Sequence, residues 1–175
     1  MESWWQQIGA VFVAEFADFG DRAEVTRTLL RLMTASVLGA VLGFEREAKG
    51  KAAGVKTHML VAMGAAIFIV VAMQAGIETG NLARIIEGII TGIGFLGAGA
   101  ILKSRSGRSV EGLTTAAGIW MTAAIGVAVG LGHQGTAVIS TILALVIFSV
   151  MPRIVKRFDM PNSDNPLNSD RPGDD

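Results

Sequence analysis

One carboxylate lies inside an apolar stretch of this sequence, and its position makes it the first candidate for chemistry. Glu87 opens residues 87–103, EGIITGIGFLGAGAILK, and the next ionisable residue in that stretch is Lys103. An acidic side chain at membrane depth is costly, so it either serves a function or is paired. Glu87 could therefore form part of a cation site, or an ion pair with Arg84 or Arg31. The sequence leaves both alternatives open.

A second group of charged residues ends the first apolar segment of the chain. Glu45, Arg46 and Glu47 follow one another there. Mg²⁺ takes oxygen ligands and usually keeps several waters, so one or two carboxylates could contact it. The spacing does not specify a metal site, however, and charge clusters beside membrane helices are common. We interpret the group as such a cluster and keep Glu45 and Glu47 as candidate ion ligands.

The remaining polar residues form no recognisable catalytic motif. His58 follows Thr57 at the start of the second apolar segment, and no other His or Cys lies at metal-ligand spacing from it. Thr114 and Thr115 begin the fourth segment, where one hydroxyl could cap a helix. The chain has no Cys and lacks nucleotide-loop, zinc-protease and serine-hydrolase motifs. We therefore predict a protein that is not an enzyme and has no cofactor.

Five apolar segments must position these residues. Hydrophobic residues make up 51% of the 175-residue chain, which is typical of an integral membrane protein. The segments are residues 29–44, 59–77, 85–102, 113–131 and 136–151. The first and the fifth are short for a membrane crossing, and Pro152 is predicted to end the fifth. Before them, residues 3–19 have the periodicity of an amphipathic helix at the membrane interface, anchored by Trp4 and Trp5.

The sequence thus predicts an all-α polytopic membrane helix bundle of five transmembrane helices plus an N-terminal interfacial amphipathic helix. We divide the chain into an interfacial helix with an acidic linker (1–26), a transmembrane domain (27–152) and a tail (153–175). The tail is basic at first. From Pro161 onward it is rich in Pro, Asn, Ser and Asp, a composition that predicts disorder.

Small residues recur at helical spacing and predict where helices pack closely. Around the third segment, isoleucines fall on one side, whereas Glu87 and most of the glycines fall on the other. We assign the isoleucine side to lipid and the small-residue side to a helix contact. The first segment has Gly39 and Gly43, and the fourth has a small residue every four positions from Gly118 to Gly130. These patterns predict a close-packed centre of the first, third and fourth transmembrane helices.

Basic residues predict the orientation across the membrane. Lys and Arg concentrate after the first, third and fifth segments, and the opposite loops hold fewer. By the positive-inside rule, the C-terminus is cytoplasmic and the N-terminus lies outside, as five crossings require. The basic loops should attract anionic lipid headgroups, which explains them without nucleic acid. We expect a multi-pass protein of the bacterial inner membrane that contacts other membrane proteins or copies of itself.

Two parts of the sequence resemble the signatures of a known family. The first combines Gly39 with residues 43–47, GFERE, and 51–58, KAAGVKTH. The second combines residues 92–99, GIGFLGAG, with residues 112–117, GLTTAA. Together they resemble the MgtC/SapB family of bacterial membrane proteins, over roughly residues 27–151. The signature and packing positions are Gly39, Gly43, Arg46, Thr57, His58, Gly92, Gly94, Gly97, Gly99, Gly112, Thr114 and Thr115.

The resemblance implies a role in growth at low magnesium and, in pathogens, in virulence. It implies a modulator of other membrane complexes, such as ATP synthase or cation transporters. The alternative is a subunit of a transporter or channel for Mg²⁺ or another cation. Two positions depart from the usual pattern: Lys56, where Arg is usual, and Gly118, where a hydroxyl residue is common. Members of the MgtC type often carry a soluble C-terminal domain, whereas a short tail is predicted here.

Overall fold

Six helices make up most of the computed structural model, which describes residues 4–15, 21–103 and 110–158. They are α1 (Trp4–Glu15), α2 (Arg22–Ala48), α3 (Val55–Gln74), α4 (Thr79–Ala100), α5 (Leu113–Gly130) and α6 (Gln134–Phe158). The five helices α2–α6 are long and apolar enough to cross a membrane. The predicted all-α bundle of five spans, preceded by a further N-terminal helix, is confirmed. Residue 3 and residues 16–19 of the predicted first helix lie outside the described ranges.

Helix α2 is longer than the first apolar segment. It begins at Arg22 because the side chain of Asp21 accepts a hydrogen bond of 2.9 Å from the backbone N–H of Ala23. It ends only at Ala48, since the charged residues after the apolar segment are good helix formers. The apolar segment is short for a membrane crossing, and the residues that flank it lengthen the helix to 27 residues.

Helix α6 continues through Pro152, so the prediction that this proline ends it was wrong. A proline inside a helix leaves the carbonyl four residues earlier without its usual donor. That carbonyl belongs to Phe148, and Lys49 Nζ at the end of α2 donates a hydrogen bond of 2.5 Å to it. The first six residues of the predicted tail are consequently helical, and residues 159–175 lie outside the described ranges.

The closest packing joins α2, α3 and α5. Their buried small and aliphatic residues form one apolar core, to which α6 adds Ala137 and Ala144. A Cβ at Gly39 of α2 would lie 2.5 Å from the carbonyl oxygen of His58, and one at Gly43 would lie 2.6 Å from Cα of Val55. Glycine is required at these positions because the backbones of α2 and α3 nearly touch.

Helix α4 lies at the edge of this core, which corrects the predicted centre. It contacts mainly α5 and, less extensively, α3. A Cβ at Gly97 would lie 3.6 Å from Cβ of Ala116, an ordinary van der Waals distance. At Gly92, Gly94 and Gly99 a Cβ would have no described atom within 4 Å beyond the adjoining residues and backbone of α4 itself. The central helices are therefore the first, second and fourth spans, not the first, third and fourth.

The two sides of α4 are also reversed relative to the prediction. Ile86, Ile89 and Ile93, which the prediction assigned to lipid, are half-buried, whereas Ile90 of the same predicted side is exposed. The small side assigned to a helix contact, including Glu87 and Gly94, is exposed. The isoleucine side of α4 faces its neighbouring helices, which lie farther away than α2 lies from α3. The small-residue side is therefore left exposed.

A short hairpin connects α4 to α5. Strands β1 (Leu102–Lys103) and β2 (Val110–Glu111) pair antiparallel, and Gly112 follows with φ of 90°. A Cβ at Gly112 would clash with the carbonyl oxygen of Ala100, so both the left-handed backbone and the contact require glycine. Gly112 is the N-cap of α5 and makes no side-chain cap hydrogen bond. Thr114 and Thr115 lie inside the helix, so the predicted hydroxyl cap was wrong.

Candidate functional site

A buried cation organises one end of the bundle. The side chain of Arg46 on α2 is only 3% exposed, and its Nε donates to Glu45 Oε2 at 2.5 Å. Its guanidinium also lies over the ring of Phe148 on α6, with Cζ 3.8 Å from the ring centroid. A buried charge is tolerated when it is paired and well contacted, and both conditions hold here.

Glu45 connects this cation to two further groups. Its Oε1 lies 2.5 Å from Lys49 Nζ, one helical turn later, and accepts a hydrogen bond of 3.5 Å from Ser149 Oγ. We call Glu45, Arg46, Lys49, Phe148 and Ser149 the Arg46 cluster. Both carboxylate oxygens of Glu45 are engaged in it. The geometry therefore fastens α2 to α6 at this end.

Glu47 and His58 fasten the start of α3 to the same end. Glu47 Oε2 accepts a hydrogen bond of 2.9 Å from the backbone N–H of Val55, the first residue of α3. His58 is fully buried, and its Nδ1 lies 3.1 Å from the carbonyl oxygen of Gly54. A carbonyl only accepts, so Nδ1 carries the proton of this bond. Nε2 is buried and has no hydrogen-bond partner among the described residues.

Arg31 lies at the opposite end of the bundle, where it closes α5. Its Nη1 donates a hydrogen bond of 2.8 Å to the carbonyl oxygen of Gly130, the last residue of α5, and approaches Met73 Sδ at 3.8 Å. A guanidinium is favourable at a helix C-terminus because the final carbonyls lack partners and carry partial negative charge. Arg31 thus joins α2, α3 and α5.

Glu87 and Arg84 lie apart from both of these sites, on the open side of α4. Within the described part of the chain, no ion pair joins Glu87 to Arg84 or to Arg31. Both side chains are exposed, as are the small residues that follow them on the same side. We call Arg84, Glu87, Thr91, Gly94 and Ala98 the α4 seam. Their alternating spacing of three and four residues places them in one stripe along the helix.

The acidic side chains are not grouped as metal ligands in the described part of the chain. Among residues 4–15, 21–103 and 110–158, no group of three or more His, Cys, Asp or Glu side chains is placed to hold a metal ion. The structure brings Glu45 and Glu47 to one end of the bundle and leaves Glu87 on another helix. The candidate ion residues therefore do not form one site within the described chain.

Sequence reasoning missed three members of the Arg46 cluster. Lys49, Phe148 and Ser149 lack a motif, and the contacts of α6 with α2 span about a hundred residues of sequence. One signal was available: Pro152 leaves the Phe148 carbonyl without a helical donor, so another donor was to be expected.

Comparison with known proteins places this architecture in a family. The family model described as MgtC family matches residues 32–157, well over half of the chain. The chain belongs to the MgtC family. The match includes all of α3, α4 and α5, most of α2 and α6, and therefore every residue of the Arg46 cluster and of the α4 seam.

Relatives of this MgtC family member differ in how much of their length it matches. It is 43% identical to Protein SrpB from Synechococcus elongatus, over 71% of this chain and 74% of that protein. It is 35% identical to the putative magnesium transporter YhiD of Escherichia coli, over 74% of this chain and 62% of that protein. It is 45% identical to Protein MgtC of Salmonella typhimurium, over 67% of this chain and 49% of that protein. No solved structure matches.

The two family signatures lie in different parts of the structure of this member. The first signature forms the α2 end, the loop and the start of α3, and it supplies Arg46, Glu47 and His58 to the fastened end of the bundle. The second signature divides between α4 and the start of α5. Its α4 glycines are largely open, whereas Gly112 is fixed by the hairpin. The charged residues of the first signature contact other residues of the same chain. The open α4 seam is therefore the candidate site for contact with other molecules.

Proposed function

We propose that this protein is a small inner-membrane protein that modulates other membrane complexes by docking against them through the α4 seam, and that it is not an enzyme. As the family resemblance implies, ATP synthase and cation transporters are the proposed classes of partner, and adaptation to low magnesium is the proposed setting. The observation that carries the proposal is the exposure of the whole seam on a helix of membrane-spanning length.

Small residues at seam spacing are suited to helix association in a membrane. Lipid tails are as apolar as helices, so association depends on close backbone approach and on polar contacts. Apart from the adjoining residues and backbone of α4, no described atom lies within 4 Å of a Cβ built at Gly94, and Thr91 and Ala98 on either side of it are exposed. A partner helix could therefore approach the backbone of α4 as closely as α3 approaches α2.

Glu87 gives the seam a polar contact that lipid cannot satisfy. It lies about 10 Å along the helix axis from Gly80, where the span of α4 begins. A charged side chain within a membrane span is costly, by up to about 3 kcal/mol at the centre and less toward the ends. A donor or a cation on a partner helix would remove much of this cost, so a partner with such a group opposite Glu87 is preferred.

The proposal also includes the orientation of the bundle across the membrane. The ends of α2 and α6 and the α2–α3 loop are on one side, and the basic residues of that side predict a cytoplasmic location. The start of α4, and Glu87 with it, would then lie toward the outer surface. The N-terminus is proposed to lie outside and the C-terminus inside.

A cation transporter or channel subunit is the second candidate. It is favoured by the same exposed carboxylate and by the printed description of the relative YhiD as a putative magnesium transporter. One carboxylate supplies too few ligands for Mg²⁺, so several copies would have to place their Glu87 side chains around one path. This candidate therefore requires an oligomer.

Reconstitution separates the two candidates. Purified protein in liposomes with a Mg²⁺-sensitive dye inside should give no flux above that of empty liposomes. Flux that is present in the wild type and lost in Glu87→Gln would refute the modulator and support the transporter. A channel of known Mg²⁺ conductance in parallel liposomes shows that the dye responds.

Site-specific crosslinking tests the seam directly. The chain has no cysteine, so a single Cys at Ala98 can carry a photoactivatable crosslinker, with Cys at Leu143 as the control. Leu143 is an exposed residue of α6 in the same membrane setting. Ala98→Cys should crosslink in cells to a membrane protein identified by mass spectrometry, and Glu87→Gln should weaken that product. Equal products from both positions, or products containing only this chain, would contradict the proposal.

A further inference from the structure

An apolar groove runs between α3 and α4, beside the seam but distinct from it. Its volume is about 620 Å³, and its walls include Leu60, Gly64 and Phe68 of α3 and Gly88, Gly92 and Leu96 of α4. Among the described residues, a Cβ at Gly64, Gly88 or Gly92 would meet no atom within 4 Å beyond its own stretch of helix, so the glycines widen the groove. Gly88 follows Glu87 by one residue, which turns it about 100° away from that seam position.

The length and lining of the groove suit an acyl chain. Its α4 wall extends from Ile85 to Leu96, about 16 Å along the axis, and its walls are apolar. Hydrocarbon chains pack with carbon atoms about 4 Å apart, so an extended acyl chain can lie along these walls.

One end of the groove is marked by a basic side chain. Lys56 is exposed and lies one turn before Leu60 on the same face of α3. A second cavity of about 460 Å³ continues from Leu96 past Thr57 to the α2–α3 loop. Helical spacing places Lys56 one turn beyond the Leu60 end of the groove, and Thr57 lines the second cavity, so this end is complementary to an acyl chain that carries an anionic headgroup.

We propose that the α3–α4 groove binds one anionic phospholipid, with its acyl chains along Gly64, Gly88 and Gly92 and its phosphate at Lys56. The lipid fills the space between two helices that contact each other only weakly, and so it sets their spacing. The proposal does not depend on the α4 seam, because none of the seam residues lines the groove itself, and Ala98 alone among them lines the second cavity.

Native mass spectrometry of the purified full chain in mild detergent tests the proposal. The probes are dioleoylphosphatidylglycerol, which is anionic, and dioleoylphosphatidylcholine, which is not. The wild type should retain one phosphatidylglycerol in preference to phosphatidylcholine. Lys56→Gln should reduce the retained phosphatidylglycerol about fivefold and leave phosphatidylcholine unchanged. The matched control is Arg157→Gln, an exposed basic residue at the same end of the bundle but on α6, which should have no effect.

Filling the groove is the second arm of the test. Gly64→Leu adds a side chain where space is open, so it should fold and should reduce retention of both lipids. Gly94→Leu adds the same side chain to the seam and should leave lipid retention unchanged. Wild-type retention in Gly64→Leu, or an equal loss in Arg157→Gln and Lys56→Gln, would overturn the proposal. Crosslinking from Ala98→Cys should persist in Gly64→Leu, so failure of the groove and failure of the seam are distinguishable.

Discussion

The unsatisfied nitrogen of His58 leads to a stabilising substitution. A Cβ built at Gly118 of α5 would lie 3.5 Å from His58 Nε2, with Phe148 Cζ at 3.4 Å and Arg46 Cδ at 3.9 Å. These are ordinary contact distances, so a small side chain fits. A hydroxyl one bond beyond that Cβ can reach hydrogen-bond distance of Nε2, about 2.8 Å. We predict that Gly118→Ser stabilises the protein by donating to Nε2.

The size of the effect follows from two contributions. A buried acceptor without a partner costs about 1–3 kcal/mol, and a new hydrogen bond recovers on the order of 1 kcal/mol or more of it. Replacing glycine inside a helix adds roughly 0.5 kcal/mol for Ser and about 1 kcal/mol for Ala. Gly118→Ala therefore gains from helix propensity alone. Gly118→Ser should exceed it by about 0.5–1 kcal/mol if the hydrogen bond forms.

Unfolding and NMR together provide the assay. The free energy of unfolding is measured by SDS titration in mixed micelles, followed by the fluorescence of Trp120 on α5, in a background with Trp4→Phe and Trp5→Phe. The chain has two histidines, so selective ¹⁵N labelling resolves the imidazole nitrogens of His58. In Gly118→Ser the chemical shift of Nε2 should change in the direction expected when this nitrogen accepts a hydrogen bond. In Gly118→Ala it should not change in this way.

A double-mutant cycle tests whether the hydroxyl of Gly118→Ser bonds to His58 Nε2. In a His58→Ala background the advantage of Ser over Ala at position 118 should disappear, because the acceptor is gone. If Gly118→Ala is as stable as Gly118→Ser with His58 present, the hydrogen bond does not form and the assigned role of Nε2 is refuted. An advantage of Ser that survives His58→Ala would refute it as well.

Two further predictions concern packing and the interruption of α6. Gly126→Ala should lower the free energy of unfolding by about 1–3 kcal/mol or more in the SDS titration, because its Cβ would clash with a carbonyl oxygen of α3. The control Gly99→Ala on α4 should be neutral or slightly stabilising. Equal effects of the two substitutions would contradict the assignment of the central helices. Lys49→Met should cost roughly 1 kcal/mol, a modest value because Lys49 is 36% exposed. The cost of Lys49→Met should be smaller in a Pro152→Ala background, because the new backbone N–H of residue 152 can donate to the Phe148 carbonyl. If the cost is the same in both backgrounds, Lys49 does not stabilise the protein through this carbonyl.

Sequence alone determined the class of this protein and the number of its membrane spans. A bilayer forces backbone groups to bond within the segment, so long apolar runs become helices whatever surrounds them. The signature residues were also identifiable, and they include Arg46 and His58 at the fastened end of the bundle. The ends of α2 and α6 were less certain, because helices continue through charged residues and because Lys49 compensates for Pro152.

Tertiary structure alone decided which helices touch. A run of small residues marks a side on which a backbone can be approached, but lipid, another span or a second protein could occupy that side. For Gly39 and Gly43 the neighbour is α3, whereas a Cβ built at Gly94 contacts no other helix of the described chain. The contacts of Arg31 with Gly130 and of Lys49 with Phe148 each join residues 99 positions apart. Such distant pairs depend on how the spans pack together, and helical periodicity describes only the surface of each span by itself.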